Sequence, residues 1–247
     1  MASGLALLLA AAVPTVLVSL YFDWLDRRRP EPRSALRRVY LAGIVSVAPV
    51  LLVELMLQSW AIQEPVWGAV LWRAFVVAAI PEETAKVACI MLFVWRTAAF
   101  DERMDGITYG VRAGLGFALV ENLGYFLSSP PEDLLQVLLV RSALLVPGHA
   151  AWGAIAGYWA ARRRFDGDGI GAAGGWLAAV LLHGGYDACI FSMEPLTSYF
   201  GRTWGAGAAL LGALLTLLFS LGWMRHLARR ALHADHLEDA RIVPHAR

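Results

Sequence analysis

Apolar residues run along the chain in long blocks, separated by short polar segments. Each block holds about 20 residues or more, the length that an α-helix needs to cross a bilayer. Because lipid offers the backbone no hydrogen-bond partners, each block is predicted to fold as a helix. The seven blocks lie at residues 3–22, 40–60, 67–95, 106–127, 133–160, 170–193 and 204–225.

The composition supports this interpretation. The 247 residues are 58% hydrophobic and only 17% charged, with a mean hydropathy of +0.56. A soluble domain carries about 25% charged residues, so a soluble domain, a disordered chain and a coiled coil are excluded. We predict an all-α polytopic membrane protein, a bundle of about seven transmembrane helices, or eight if the third is broken at Pro81.

Arginines between the blocks predict the orientation. The loops after the first, third and fifth spans are rich in arginine, whereas the loops after the second, fourth and sixth hold only Arg202. The positive-inside rule then puts the N-terminus outside and the C-terminus in the cytoplasm. No Lys or Arg precedes the first span, which is therefore predicted to be an anchor rather than a signal peptide.

The chain is expected to form one transmembrane domain, residues 1–226, whose functional core is 67–193, followed by a polar cytoplasmic tail at 227–247. We expect a multi-pass protein of the cell (plasma) membrane. Cys89 and Cys189 lie in apolar blocks and form neither a CxxC site nor a disulfide framework. With a net charge of +1, nucleic acid is not an expected partner. The lipid bilayer is an expected partner, and the oligomeric state stays open.

Glycines recur every four positions in two spans. Gly106, Gly110 and Gly114 lie in the fourth span, and Gly153 and Gly157 lie in the fifth. Small residues at this spacing let helices approach closely in a membrane. We interpret them as packing positions rather than phosphate loops, since no strand precedes them.

Charged side chains inside the third span demand an explanation, because each costs about 2.5–3.5 kcal/mol on insertion scales. Pro81 lies in mid-span, followed by Glu82 and Glu83, so it either kinks the span or starts its second half. Lys86, the only lysine, follows Glu82 by four residues, the favoured order for an ion pair. A purely structural pair would leave the other Glu unpaired, which is costly.

Spans four to six carry further polar side chains at mid-membrane. His183 and Asp187 are four apart on one helical face, where a carboxylate can fix an imidazole tautomer. Approximate helix depths allow these groups to meet. The further residues are Glu121, Asn122, Arg141 and His149.

Two chemistries fit two glutamates and two histidines. They could activate water as a general base and hold an oxyanion, or ligate Zn²⁺ with one position open. Both routes hydrolyse a peptide bond. The sequence holds no HExxH, GxSxG or GxGD motif. The cofactor prediction is therefore none or a divalent metal such as zinc.

Four ordered blocks resemble the PrsW-type membrane proteases. Residues 81–86 resemble the EExxK motif, and residues 105–125 resemble a second block with an FxxxE core. Arg141 with 147–149 resembles the third block, and 183–187 resembles the fourth, HxxxD. The resemblance extends to the wider superfamily of CAAX-prenyl and bacteriocin-processing proteases.

The resemblance implies roles and a substrate class. Glu82 and Glu121 would activate water, His149 would be a base, ligand or orienting group, and His183 with Asp187 would stabilise the oxyanion. The implied substrates are single-span membrane proteins, notably anti-sigma factors. The candidate catalytic residues are Glu82, Glu83, Glu121, His149 and His183; the supporting residues are Lys86, Asn122, Arg141 and Asp187; a metal, if present, is expected at Glu82, Glu121, His149 and His183.

The division of labour between Glu82 and Glu83 stays open, since either could pair with Lys86 or with an intramembrane Arg such as Arg141. A proton or ion carrier is an alternative, because intramembrane Glu, His, Lys and Asp also build relays. It lacks the clear internal repeat that carriers often show. A haem anchor using two histidines would leave the paired glutamates unexplained.

Overall fold

The computed structural model describes residues 4–60 and 66–242, and this part of the chain contains helices and no strands. Two π-helical segments, Trp72–Ala79 and Arg141–Leu145, interrupt longer α-helical runs. The α-helices are α1 (Gly4–Leu25), α2 (Arg33–Ser59), α3 (Val66–Leu71), α4 (Ile80–Phe93), α5 (Arg103–Ser128), α6 (Leu134–Val140), α7 (Val146–Asp166), α8 (Gly171–Phe191), α9 (Met193–Phe200) and α10 (Arg202–Ile242).

Four helices are long and apolar enough to cross a membrane, and a fifth span is added if α8 and α9, bent by 44°, count as one. The prediction of an all-α membrane protein is thus confirmed. The count of seven spans and the orientation of the termini stay predictions. The four helices cover Leu5–Leu25, Arg33–Ser59, Leu134–Asp166 and Arg202–Ala240.

Helix α5 lies at the centre of the bundle. Every residue from 104 to 118 is buried, and α1, α2, α4, α7 and α10 all contact α5. A helix buried on all sides needs no lipid-facing apolar stripe. This explains why α5 holds charged residues yet crosses the protein interior.

The glycines are packing positions, as predicted, and the structure shows that they bring the backbones of α5 and α7 into direct contact. A Cβ atom on Gly110 would collide with the carbonyl of Gly153, and one on Gly106 would collide with that of Gly157. Gly114 faces the carbonyl of His149 in the same way. The α5–α7 contact therefore holds His149 close to α5.

Both π-helical segments precede a proline. Pro81 and Pro147 occupy the first turns of α4 and α7. Proline has no N–H and cannot complete the usual α-helical bond. The N–H of Ile80 bonds to the carbonyl of Phe75, five residues back, so a wide turn leads into each proline. The chain stays helical through Pro81, which lies in the first turn of α4, so the predicted third span continues past the proline without losing helical structure.

The predicted polar tail is largely helical. Helix α10 continues past position 226 to Ile242, and Leu227 and Ala231 pack into the hydrophobic core. The carboxylate of Asp235 accepts the backbone N–H of Met104 at 3.0 Å. The domain boundary at 226 stays a prediction, and residues 243–247 lie outside the described part. Cys89 and Cys189 are free.

Candidate active site

Lys86 is the centre of a buried polar cluster. Its Nζ donates to Glu83 Oε1 at 2.6 Å, to His149 Nδ1 at 2.8 Å and to Glu82 Oε2 at 3.4 Å. An ammonium has three N–H donors, and each has an acceptor here. The predicted Glu82–Lys86 ion pair is present, but Glu83 is the closer partner. One lysine therefore serves both glutamates.

His183 is held on three sides. Its Nδ1 lies 2.8 Å from Glu83 Oε1 and its Nε2 lies 3.4 Å from Asp187 Oδ2. Because Glu83 as a carboxylate only accepts, Nδ1 carries a proton. The indole of Trp152 stacks on the imidazole with 4.2 Å between ring centroids and 11° between planes. Position and orientation of the ring are both fixed.

Glu121 of α5 is paired with Arg141 from the π-helical segment. Arg141 Nη2 lies 2.7 Å from Glu121 Oε1, and its Nε donates to Asn122 Oδ1 at 2.8 Å. The guanidinium also stacks over the ring of Tyr125. Arg141 therefore binds Glu121, and Lys86 rather than Arg141 is the partner of the two glutamates of α4.

These residues meet beside a cavity of about 790 Å³ between α2, α5, α6 and α8. Glu82, Glu121, His183 and Asp187 line the cavity. The other part of the cluster, with Glu83, Lys86 and His149, lies behind this wall and is at most 1% exposed. All nine candidate residues from the sequence thus belong to one connected cluster, divided into a cavity-facing layer and a supporting layer.

A metal would fit three of the four predicted ligands. Glu82, Glu121 and His149 each offer one ligand atom within 4.8 Å of the others, and two carboxylates with an imidazole are typical zinc donors. Glu121 Oε2 and His149 Nε2 lie 2.8 Å apart, yet neither has a hydrogen-bond partner of proper geometry in the described residues. His183, the fourth predicted ligand, is not part of this donor group.

Trp152 was not singled out from the sequence. It is completely buried, contacts the rings of His149 and His183, and donates from Nε1 to Ser220 Oγ at 3.2 Å. Its position three residues after His149 puts it on the same face of α7. That spacing is the sequence feature that could have identified Trp152, but it is hard to recognise in an apolar chain with many other Trp residues.

The buried carboxylates and the two histidines beside the cavity are the groups that a membrane-embedded hydrolase uses to activate water. Comparison with known proteins identifies a membrane protease. Residues 31–221 match the family described as PrsW family intramembrane metalloprotease. The chain belongs to this family.

Related proteins support the same assignment. The chain is 32% identical to Protease PrsW of Bacillus subtilis over 197 residues, covering 78% of this chain and 87% of that protein. It is 30% identical to Protease PrsW of Geobacillus kaustophilus over 198 residues, covering 79% and 84%. No solved structure matches this chain.

Proposed function

We propose that this membrane protease hydrolyses a peptide bond of single-span membrane proteins, with Glu82 and Glu121 activating water and His183 stabilising the oxyanion. The observation that carries the proposal is the convergence of these three side chains on one cavity. We further propose a location in the cell membrane and substrates of the anti-sigma-factor type, the class that the four sequence blocks imply.

Glu82 is the proposed proton acceptor. It faces the cavity, while Lys86 at 3.4 Å holds its carboxylate from behind. A positioned carboxylate within reach of a water can act as a general base. Glu121 lines the same cavity, and its ion pair with Arg141 fixes the second carboxylate.

His183 is the proposed oxyanion donor. Glu83 accepts the hydrogen bond from Nδ1–H. The other ring nitrogen, Nε2, lies on the side of Asp187 and the cavity. When both ring nitrogens are protonated, Nε2–H can donate to the developing negative charge, and a preorganised donor of this kind is a large contribution to catalysis. Glu83 is thereby assigned a positioning role that the sequence left open.

A divalent metal would be held by Glu82, Glu121 and His149. Bound there, it would acidify a water and polarise the substrate carbonyl. With or without a metal, Arg141 and Lys86 fix the two carboxylates.

Cleavage by the purified protein tests the proposal. In proteoliposomes containing fluorescently tagged single-span proteins, Glu82→Gln should lower cleavage by about 10²- to 10⁴-fold, because a general base is lost. Glu132→Gln is the matched control, since Glu132 is exposed in a loop outside the cavity. The same samples are assayed for bound metal by elemental analysis.

Undiminished cleavage by Glu82→Gln and by His183→Ala would contradict the assigned roles. The alternative function, a proton or ion carrier, predicts instead that the wild-type protein moves protons across the same liposomes without cutting any substrate. Active protein without stoichiometric metal would favour activation of water by the two glutamates alone.

A further inference from the structure

A second group of carboxylates lies at the opposite end of α5. Glu31 comes from the loop between α1 and α2, Asp101 from the loop before α5, and Asp105 from the first turn of α5. One ligand oxygen from each lies within 4.8 Å of the others. Asp105 and Glu121 are sixteen residues apart on α5, about 24 Å along the helix, so the two groups are separate.

Asp105 is the buried member of this group, and it has no positive partner in the described residues. The residue is completely buried. Its Oδ2 accepts the backbone N–H groups of Asp101 at 2.6 Å and Glu102 at 2.8 Å, which accounts for capping of the helix. Its Oδ1 is buried and has no hydrogen-bond partner within residues 4–60 and 66–242. A carboxylate oxygen in this state is costly.

The neighbouring arginines reach only the exposed member of the group, Asp101. Arg29 pairs with Glu102 at 2.6 Å and with Asp101 at 3.3 Å, and Arg103 pairs with residues of α7 and α10. Within the described ranges, neither Glu31 nor Asp105 forms an ion pair with an arginine or lysine. The group therefore carries more negative than positive charge.

The hydroxyl of Tyr109 lies within hydrogen-bonding distance of Glu31 and of the carbonyl of Ala99, and its single proton serves one of them at a time. In the described part of the chain, Glu31 therefore has a neutral hydrogen-bond donor beside it and no positive charge.

We infer that Glu31, Asp101 and Asp105 bind a divalent cation of the Mg²⁺ type. Hard cations prefer carboxylate oxygens, and Mg²⁺ keeps several waters and needs only a few protein ligands. The side chain of Asp101 is 59% exposed, which leaves room for those waters. The cation joins the two loops to the start of α5.

Manganese binding tests this inference on the full-length protein, purified in detergent and freed of metal with EDTA. Mn²⁺ titrated into the sample is counted by electron paramagnetic resonance, since bound Mn²⁺ loses the sharp free-ion spectrum. The wild-type protein should hold a Mn²⁺ that Glu31→Gln and Asp105→Asn bind at least about tenfold more weakly, because each removes a charged ligand. Both substitutions keep an oxygen that can accept the existing hydrogen bonds.

Two control variants separate this site from other acidic groups. Asp239→Asn removes a carboxylate that faces Arg29 from α10 at 3.6 Å, and it should bind Mn²⁺ like the wild type. Glu121→Gln should also retain this Mn²⁺, even if it loses a metal at the proposed active site. Thermal unfolding in the presence of Mn²⁺ should shift upward for the wild type and for both controls.

Equal Mn²⁺ binding by the wild type, Glu31→Gln and Asp105→Asn would overturn the inference. Loss of all Mn²⁺ binding in Glu121→Gln would also overturn it, because every bound ion would then belong to the proposed active site. In either case Glu31 and Asp105 share a proton instead. If the buried substitutions prevent folding, Asp101→Asn decides, because its exposed side chain can be changed without disturbing the core. The result is independent of whether the protein cleaves a substrate.

Discussion

Lys86 connects the individual residues of the active-site cluster. One buried ammonium with three acceptors replaces several separate charge pairs, and it is shared by a residue facing the cavity and two residues behind it. Loss of either glutamate leaves charge unbalanced in a low-dielectric interior, and loss of His149 leaves one N–H of the ammonium without its acceptor. The positioning residues of the site are therefore expected to affect stability as well as activity.

Glu83→Gln should destabilise the folded protein by about 3–5 kcal/mol, because it breaks a completely buried ion pair. Glu83 is 2.6 Å from Lys86 and 2.8 Å from His183. Thermal unfolding of the purified variant measures the effect. Glu54→Gln is a suitable comparison, since Glu54 lines the cavity without an ion pair in the described residues; an equal loss in both variants would refute the special role of Glu83.

Trp152 should affect turnover through His183. Trp152→Phe keeps an aromatic face on the imidazole and should lower kcat only slightly, whereas Trp152→Leu removes the stack and should lower kcat by about tenfold. Ser220→Ala is the matched control, because it removes the hydrogen bond to the indole, together with the hydroxyl's bond to the Thr216 carbonyl, and leaves the ring stack on His183 in place. Steady-state cleavage with separate kcat and KM values checks this, and equal kcat values for the Phe and Leu variants would contradict it.

Much of the site could be predicted from residue types alone. Charged residues are so unfavourable in apolar spans that Glu82, Lys86 and Glu121 are conspicuous, and helical spacing joins His183 to Asp187. The pairing across helices could not be predicted. The choice of Glu83 as the closer partner of Lys86 and of Glu121 as the partner of Arg141 depends on helix rotation, which the sequence does not specify.

Among the helices, the α5–α7 pair shows how an element can position chemistry. The glycines bring two backbones into direct contact, and Glu121 and His149 extend from these two helices to within 2.8 Å of each other. Their separation is set by the backbone contact. This packing was predicted from the four-residue spacing.

Gly153→Ala should destabilise the bundle by about 1–3 kcal/mol, because its new methyl group meets the carbonyl of Gly110 and overpacks the interface. Gly222→Ala in α10 is the comparison, since no atom lies within 4 Å of a Cβ built there, and it should be neutral or slightly stabilising. Thermal unfolding of both variants measures the difference. An unchanged stability of Gly153→Ala would contradict this, because α5 and α7 would then move apart at no cost to admit the methyl group.

The irregular helical elements were only partly predictable. Pro81 indicated a break or kink, whereas the structure has a π-helical segment that leads into α4. Pro147 has the same arrangement and was not predicted to have it. Proline shows where a backbone donor is missing, but the neighbouring helices decide how the turn compensates.

For the whole molecule, the orientation in the membrane is the prediction with the most direct test. The arginine-rich loops are predicted to be cytoplasmic, so a reporter fused after Phe100 should be cytoplasmic and one fused after Pro131 should be outside. Paired fluorescent-protein and alkaline-phosphatase fusions measure both locations. An outside location for the first fusion would reverse the predicted topology.

Helix α6 differs from the other walls of the cavity in having no buried residue, although Gln136, Val137 and Val140 face the cavity. Little apolar surface is therefore lost when this helix moves, and local opening is cheapest where few contacts are buried. Its amides should exchange with deuterium much faster than those of α5. Of the cavity walls, α6 is therefore the one that a substrate helix of the proposed kind, arriving from the bilayer, would displace most easily.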